Sequence, residues 1–308
     1  MTFLIIIDPY TINVDRWSAI HNFIQSLFNG SYPYSAHTHL GGYGSPFPAW
    51  QVFHIPFYIL GNVGFGMLFS VILTGILLIW LLDSHKDAFF YLLLLTLSPA
   101  FWYEVVVRSD LFYNFLLCFL VFGVIYKKHY SIISNSIFLG FITGLFLSTR
   151  FSTIIPFSIL LFPSFLISNI KYKIIFIASG IITFIATFLP FVFWDFNTLF
   201  FFKYNPFILQ TRQGSVLDAL IIALIGIYLS FCWKNDLKLC STFISITISA
   251  LVIITFSHRM ISDHFVSSFF SGYYDITYFN MAMPFILFSL NQGKINIQNN
   301  TSHVKTKI

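Results

Sequence analysis

The chain has 308 residues, of which 57% are hydrophobic, 20% aromatic (41 are Phe) and only 9% charged, with a mean hydropathy of +0.82. Soluble domains carry about 25% charged residues, so this composition leaves too little polar surface to clothe a globule in water and points to an all-α, polytopic membrane protein. The net charge of +5 comes from 16 basic residues scattered without a basic block, which leaves nucleic-acid binding unsupported. Cys118, Cys232 and Cys240 lie in or beside apolar runs with neither metal-ligand spacing nor an evident disulfide partner.

In chain order, the apolar start at 3–7 is five residues long and ends at Asp8-Pro9 without a small-residue cleavage site, so no signal peptide is expected. Trp17, Ile20, Ile24 and Leu27 then recur at helical spacing, predicting an amphipathic helix over 15–28 that Asn29-Gly30 ends. The segment SYPYSAHTHLGGYGSPFP, dense in Tyr, His, Gly and Pro, reads as an ordered loop, and a second short helix is predicted over 48–60. Nine apolar runs near membrane-crossing length follow, at 64–82, 88–102, 111–126, 134–149, 151–167, 174–194, 216–233, 239–256 and 276–290. Several are short, as expected of tilted or broken helices around a cavity. The expected organisation is a non-cytoplasmic first loop (1–63) with two short helices, a transmembrane domain (64–290) and a disordered cytoplasmic tail (291–308).

The connections sort by cation. One side collects Lys86, Lys127, Lys128, Lys171, Lys173, Lys234, Lys238, Lys294, Lys305 and Lys307; the other holds Arg16, Arg108, Arg150, Lys203, Arg212 and Arg259, which includes every arginine of the chain. The excess of positive charge makes the lysine side cytoplasmic. Long segments, at 1–63, 195–215 and 257–275, lie on the arginine side, where function is expected.

On that side Asp15 reads either as the N-cap of the first helix or as a carboxylate able to take a proton from an attacking hydroxyl, and Asp8 is a second candidate whose neighbour Pro9 also suggests a turn. Glu104 and Arg108 stand four apart, at the spacing of a helical ion pair, with Asp110 close behind. Arg150 occupies a hairpin with almost no loop and reads as a snorkelling anchor or as a ligand. Arg212, Gln213, Arg259, Asp263, His264 and Asp275 belong to the later outside segments. His21, His37, His39 and His54 lack a carboxylate at ligand spacing, so no metal is expected. Five arginines on the elaborate face would suit a lipid-borne phosphate, because the guanidinium fork binds phosphate oxygens in pairs.

The residues Asp15-Arg16-Trp17, NGSYPY ending at Tyr34, and 41–48 resemble the first outside loop of the GT-C superfamily of integral membrane glycosyltransferases, the bacterial members especially. Arg108-Ser109-Asp110, Arg150 and the stretch from Tyr278 to Pro284 are similar in placement. The resemblance implies transfer of a hexose or pentose from a polyprenyl-phosphate-linked sugar donor to a glycan or lipid-linked acceptor on the periplasmic or extracellular face of a bacterial plasma membrane. It implies Asp15 as general base. Arg108, Arg150, Arg212 and Arg259 would hold the donor phosphate, with Arg16, Glu104, Asp110 and Asp275 in support and no cofactor. Family members carry a membrane span ahead of this loop, where this sequence has only 3–7. A transporter or flippase for a lipid-linked glycan is the rival reading, though it would favour internal repeats and mid-span charges, and a non-catalytic membrane scaffold is a third.

Overall fold

A computed structural model describes residues 6–82, 84–233, 235–270 and 274–290, and among these residues the fold is helical with no strand, only an isolated bridge between His37 and Tyr43. The expected tail at 291–308, together with Lys234, Lys294, Lys305 and Lys307, lies outside the described residues.

Helix α1 (Arg16–Phe28) buries Trp17, Ile20, Phe23 and Ile24, the predicted apolar face widened by Phe23. It stops at Asn29, and Gly30 follows at φ +70°, a left-handed conformation that glycine adopts at little cost. The second predicted helix is two: α2 (Pro48–Phe53) and α3 (Ile55–Ile59), broken at His54. Pro56 explains the break, since it has no backbone N–H with which to continue the hydrogen-bond ladder of α2.

The apolar chain continues through α4 (Phe65–Leu81), α5 (His85–Leu97), α6 (Pro99–Val107), α7 (Leu111–Lys127), α8 (Ile132–Leu147), α9 (Ile154–Ile167) and α10 (Ile170–Trp194). Then come α11 (Phe196–Phe201), α12 (Pro206–Thr211), α13 (Val216–Ser230), α14 (Leu237–Asp263), α15 (Phe265–Phe270), a 3-10 turn (Ile276–Met281) and α16 (Met283–Leu290). Each of the nine predicted apolar runs falls on helix. Three stretches are long and apolar enough to cross a membrane, Ile170–Trp194, Phe196–Ser230 and Leu237–Asp263, and a fourth exists if α5 and α6, bent by 61°, count as one. The other apolar helices are shorter than a full span. On α10 the outward Ile174, Ile181, Ile182 and Phe193 are exposed, as a lipid-facing wall requires and a water-facing one would not tolerate.

Helix α7 is buried on nearly its whole circumference, packed with α4 and α16. Helices α8 and α10 form the most closely packed helix pair among the described residues. A Cβ placed on Gly140 would run into the carbonyl oxygen of Phe176, and one on Gly144 into that of Gly180. Small residues that admit such close backbone approach are how helices associate in lipid, where burying apolar surface between them gains nothing.

Candidate functional site

Two features lie around Arg16 and Arg150: a buried cluster of charges and, next to it, a large cavity. The cluster gathers residues from five parts of the chain. Arg16, at the start of α1, forms an ion pair with Asp275 and donates to Ser109 Oγ (2.7 Å) and Thr277 Oγ1 (2.9 Å). Arg150 donates through Nη2 to Asp110 Oδ2 at 2.5 Å, and Trp50 Nε1 donates to the same oxygen at 2.7 Å. Glu104 accepts from the Phe112 N–H (3.1 Å) and from Asn280 Nδ2 (2.7 Å). Glu104 and Asp110 are fully buried and Arg150 nearly so. Asp110 Oδ1, Arg150 Nε and Asn114 Nδ2 are buried without a hydrogen-bond partner among the described residues.

The electrostatics follow from this arrangement. Burial by itself would push the Asp110 carboxyl up, but Arg150 beside it and Arg16 further away outweigh burial and hold it below the ordinary Asp value. Asp275 is held low in the same way, burial being overcome by Arg16 and by the Thr277 hydroxyl and N–H. Burial works against the charge on Arg16, yet Asp275, Glu104 and Asp110 together raise its pKa, so it stays a cation. His54 goes the other way: burial lowers it to about 4, only partly countered by the Trp50 carbonyl and Asp110. Its Nδ1 donates to Trp50 O at 2.7 Å, and the neutral ring leaves Nε2 to accept from the Tyr113 hydroxyl.

The cavity, of about 750 Å³, runs between α9, α13 and α14. Its polar lining includes Arg150, Gln210, Gln213, Ser215, Asp218 and Tyr278. These sit in α12 and at the start of α13, in the α8–α9 turn and within the 3-10 turn. Deeper between the helices the lining is mostly apolar, with Ile155, Phe162, Ile222, Gly226 and Leu251 alongside Ser158 and Thr247. The Arg150 Nη1 forms no hydrogen bond with the described residues, and Arg150 reaches both the cluster and the cavity. A smaller pocket of about 140 Å³, lined by Glu104, Arg108, Trp102 and Tyr113, lies apart.

The predicted site residues divide on this map. Asp15 is not a side-chain cap, because its carboxylate makes no bond to a helix N–H; instead Thr38 Oγ1 donates to Oδ2 at 2.7 Å, and Oδ1 accepts nothing from the described residues. Asp8 does cap a turn, accepting from the Tyr10 N–H at 3.0 Å. The Glu104–Arg108 pair does not form. Arg108 takes a left-handed conformation (φ 52°) that ends α6, and its guanidinium turns to the Ile7 carbonyl and the Trp17 ring. Arg150 is no snorkelling anchor but a buried partner of Asp110.

The four arginines proposed to hold phosphate do not converge: Arg150 alone lines the large cavity, Arg108 lines the small pocket, and Arg259 bonds the Arg212 carbonyl and Asp263 near the rim. Arg16, by contrast, lies close to the cavity, its guanidinium 5.7 Å from the ring of Tyr278. His39 is held between Ser18 Oγ and the Ile12 carbonyl, and His37 against Tyr43. No group of three His, Cys, Asp or Glu among the described residues could hold a metal ion. Sequence reasoning missed the Trp50–Asp110 and Asn280–Glu104 bonds and the Asp218–His258 contact (3.0 Å), since nothing local marks partners 40 to 176 residues apart. Neither a family model, nor a curated protein, nor a solved structure matches the chain.

Proposed function

We propose that the chain is a nine-span membrane glycosyltransferase that moves a sugar from a polyprenyl-phosphate carrier to a hydroxyl acceptor on the non-cytoplasmic face. The observation that carries this reading is the amphipathic cavity, with a guanidinium at its polar end and an apolar cleft between helices behind it. Such a shape suits a phosphate on a long hydrocarbon chain. The apolar cleft takes the prenyl tail, which gains by leaving no void, and Arg150 Nη1 meets the phosphate. In the transfer step the acceptor oxygen attacks the anomeric carbon, and the bond from that carbon to the phosphate oxygen breaks with its electron pair leaving on the phosphate. Asp15 takes the acceptor's proton on Oδ1, Thr38 holding the other carboxylate oxygen.

The first test is mass spectrometry of lipid-linked and surface glycans from cells carrying Asp15→Asn in place of the native protein at matched level. The expected result is a glycan shortened by one sugar, with transfer reduced about 100- to 10,000-fold, the worth of a general base. Unchanged glycans would remove Asp15 from the role. A full-length glycan accumulating on the inner leaflet would identify a flippase instead.

A further inference from the structure

The polar end of the cavity is chemically divided. Arg150 presents a donor, whereas α13 and the segment before it present acceptors. Asp218 is buried at the third position of α13 and lines the cavity. Its Oδ2 is fully engaged, accepting from the Ser215 N–H (2.7 Å), the Ser215 hydroxyl (2.8 Å) and His258 Nδ1 (3.0 Å). Its Oδ1 accepts from none of the described residues. Gln213 lines the same wall, and its Oε1 is buried with no hydrogen-bond partner among the described residues. Two residues lining one cavity therefore each carry an acceptor oxygen without a donor among the described residues, and one of these oxygens belongs to a carboxylate whose orientation is fixed by three bonds on its other oxygen.

A buried acceptor left unpaired is costly, so the ligand that belongs here brings hydrogen-bond donors. A phosphate brings none and would be repelled by Asp218. A sugar ring brings several hydroxyls at close spacing. We infer that Gln213 and Asp218 form the sugar subsite of the cavity, accepting from ring hydroxyls of the donor, while Arg150 takes the phosphate. Ser215 and His258 are positioning residues, since they fix the Asp218 carboxylate and leave Oδ1 turned to the ligand. The inference rests on the glycosyltransferase reading and extends it, because it makes this wall the determinant of which sugar is taken.

The experiment compares two probes on the purified full chain in detergent, a short-chain polyprenyl phosphate and the same carrier bearing a hexose, with binding measured by native mass spectrometry. The wild type is expected to prefer the glycosylated probe. Gln213→Leu removes one acceptor at nearly constant volume and is expected to reduce that preference about tenfold, the worth of one good hydrogen bond to an otherwise unpaired group, with the bare carrier bound as before. Asp218→Asn is expected to do the same, and Gln213→Leu stands as the check should the altered helix start impair folding. Arg150→Ala is expected to weaken both probes alike. Equal binding of the two probes by the wild type, or a preference that survives both wall variants, overturns the sugar subsite and leaves the carrier site standing. Failure of the wild type to bind either probe overturns the transferase reading along with it.

Discussion

The seam between α8 and α10 and the cleft between α9, α13 and α14 are built from the same apolar residue types, yet one is closed to backbone contact and the other opens into about 750 Å³. Glycine placement separates them. Gly140, Gly144 and Gly180 meet face to face at the seam, whereas Gly226 in the cleft faces Ile159 and Thr247 only at 4.0 Å, with no glycine opposite. In lipid, helices draw no strength from hiding apolar surface from each other. Their fit decides, and a gap that protein does not fill is left for something else to fill.

The comparison can be broken first at the seam. Gly144→Val drives a side chain into the Gly180 carbonyl and should cost about 3 kcal/mol or more, read as loss of the monodisperse peak in size-exclusion chromatography with fluorescence detection. A next disruption falls at the wall the cleft shares with the charge cluster. Asp110→Ala leaves Arg150 buried without its carboxylate, a loss of about 3–5 kcal/mol, and thermal unfolding in detergent should show it. A wild-type melting temperature in that variant would mean that Arg150 finds water or another partner.

A third test uses pH. His54 is neutral when folded, with its pKa lowered to about 4 by burial, against 6.5 in the unfolded chain. Because the folded value is the lower one, this stability is present above pH 6.5 and is lost as the pH falls toward 4, on the order of 3 kcal/mol over that window. His54→Gln should flatten the pH dependence of unfolding across the same range. The smallest effect on stability belongs to the cleft itself: Gly226 lines the cavity, and Gly226→Phe places its Cβ in ordinary contact with Ile159 and Thr247 and relieves a helical glycine, so stability should hold or rise by up to about 1 kcal/mol. Binding of a polyprenyl phosphate should nonetheless be lost, and retained binding would place the carrier elsewhere.

How much of this was legible in the sequence depends on the range of the interaction. Apolar runs and their breakers are local, so the helices, the turn at Gly30 and the face bearing Trp17, Ile20 and Ile24 could be read directly. The break at Pro56 was equally local but was passed over, because Pro48 starts the segment so well. The site was another matter. Arg16 pairs with Asp275 across 259 residues, and Glu104 chooses Asn280 over the Arg108 four residues away. Charge at the helix ends marked the right neighbourhood, but only the packing of α1, α7 and the final 3-10 turn decided which charges meet. The seam was also missed, since Gly140 and Gly144 look like ordinary glycines until Gly180 comes opposite them.

The bend between α5 and α6 has a bearing on the surrounding lipid. Thirteen residues of α5 rise about 20 Å, and the nine of α6, tipped by 61°, add only about 7 Å along the same axis, leaving this flank near 26 Å against a hydrocarbon core of about 30 Å. A bilayer that meets so short a flank thins to match it. On the proposed nine-span reading, in which α5 and α6 cross as one, headgroups and water would be drawn down beside α6, the helix that carries Glu104, and the local thickness of the membrane would become one more element in the setting of the buried charges.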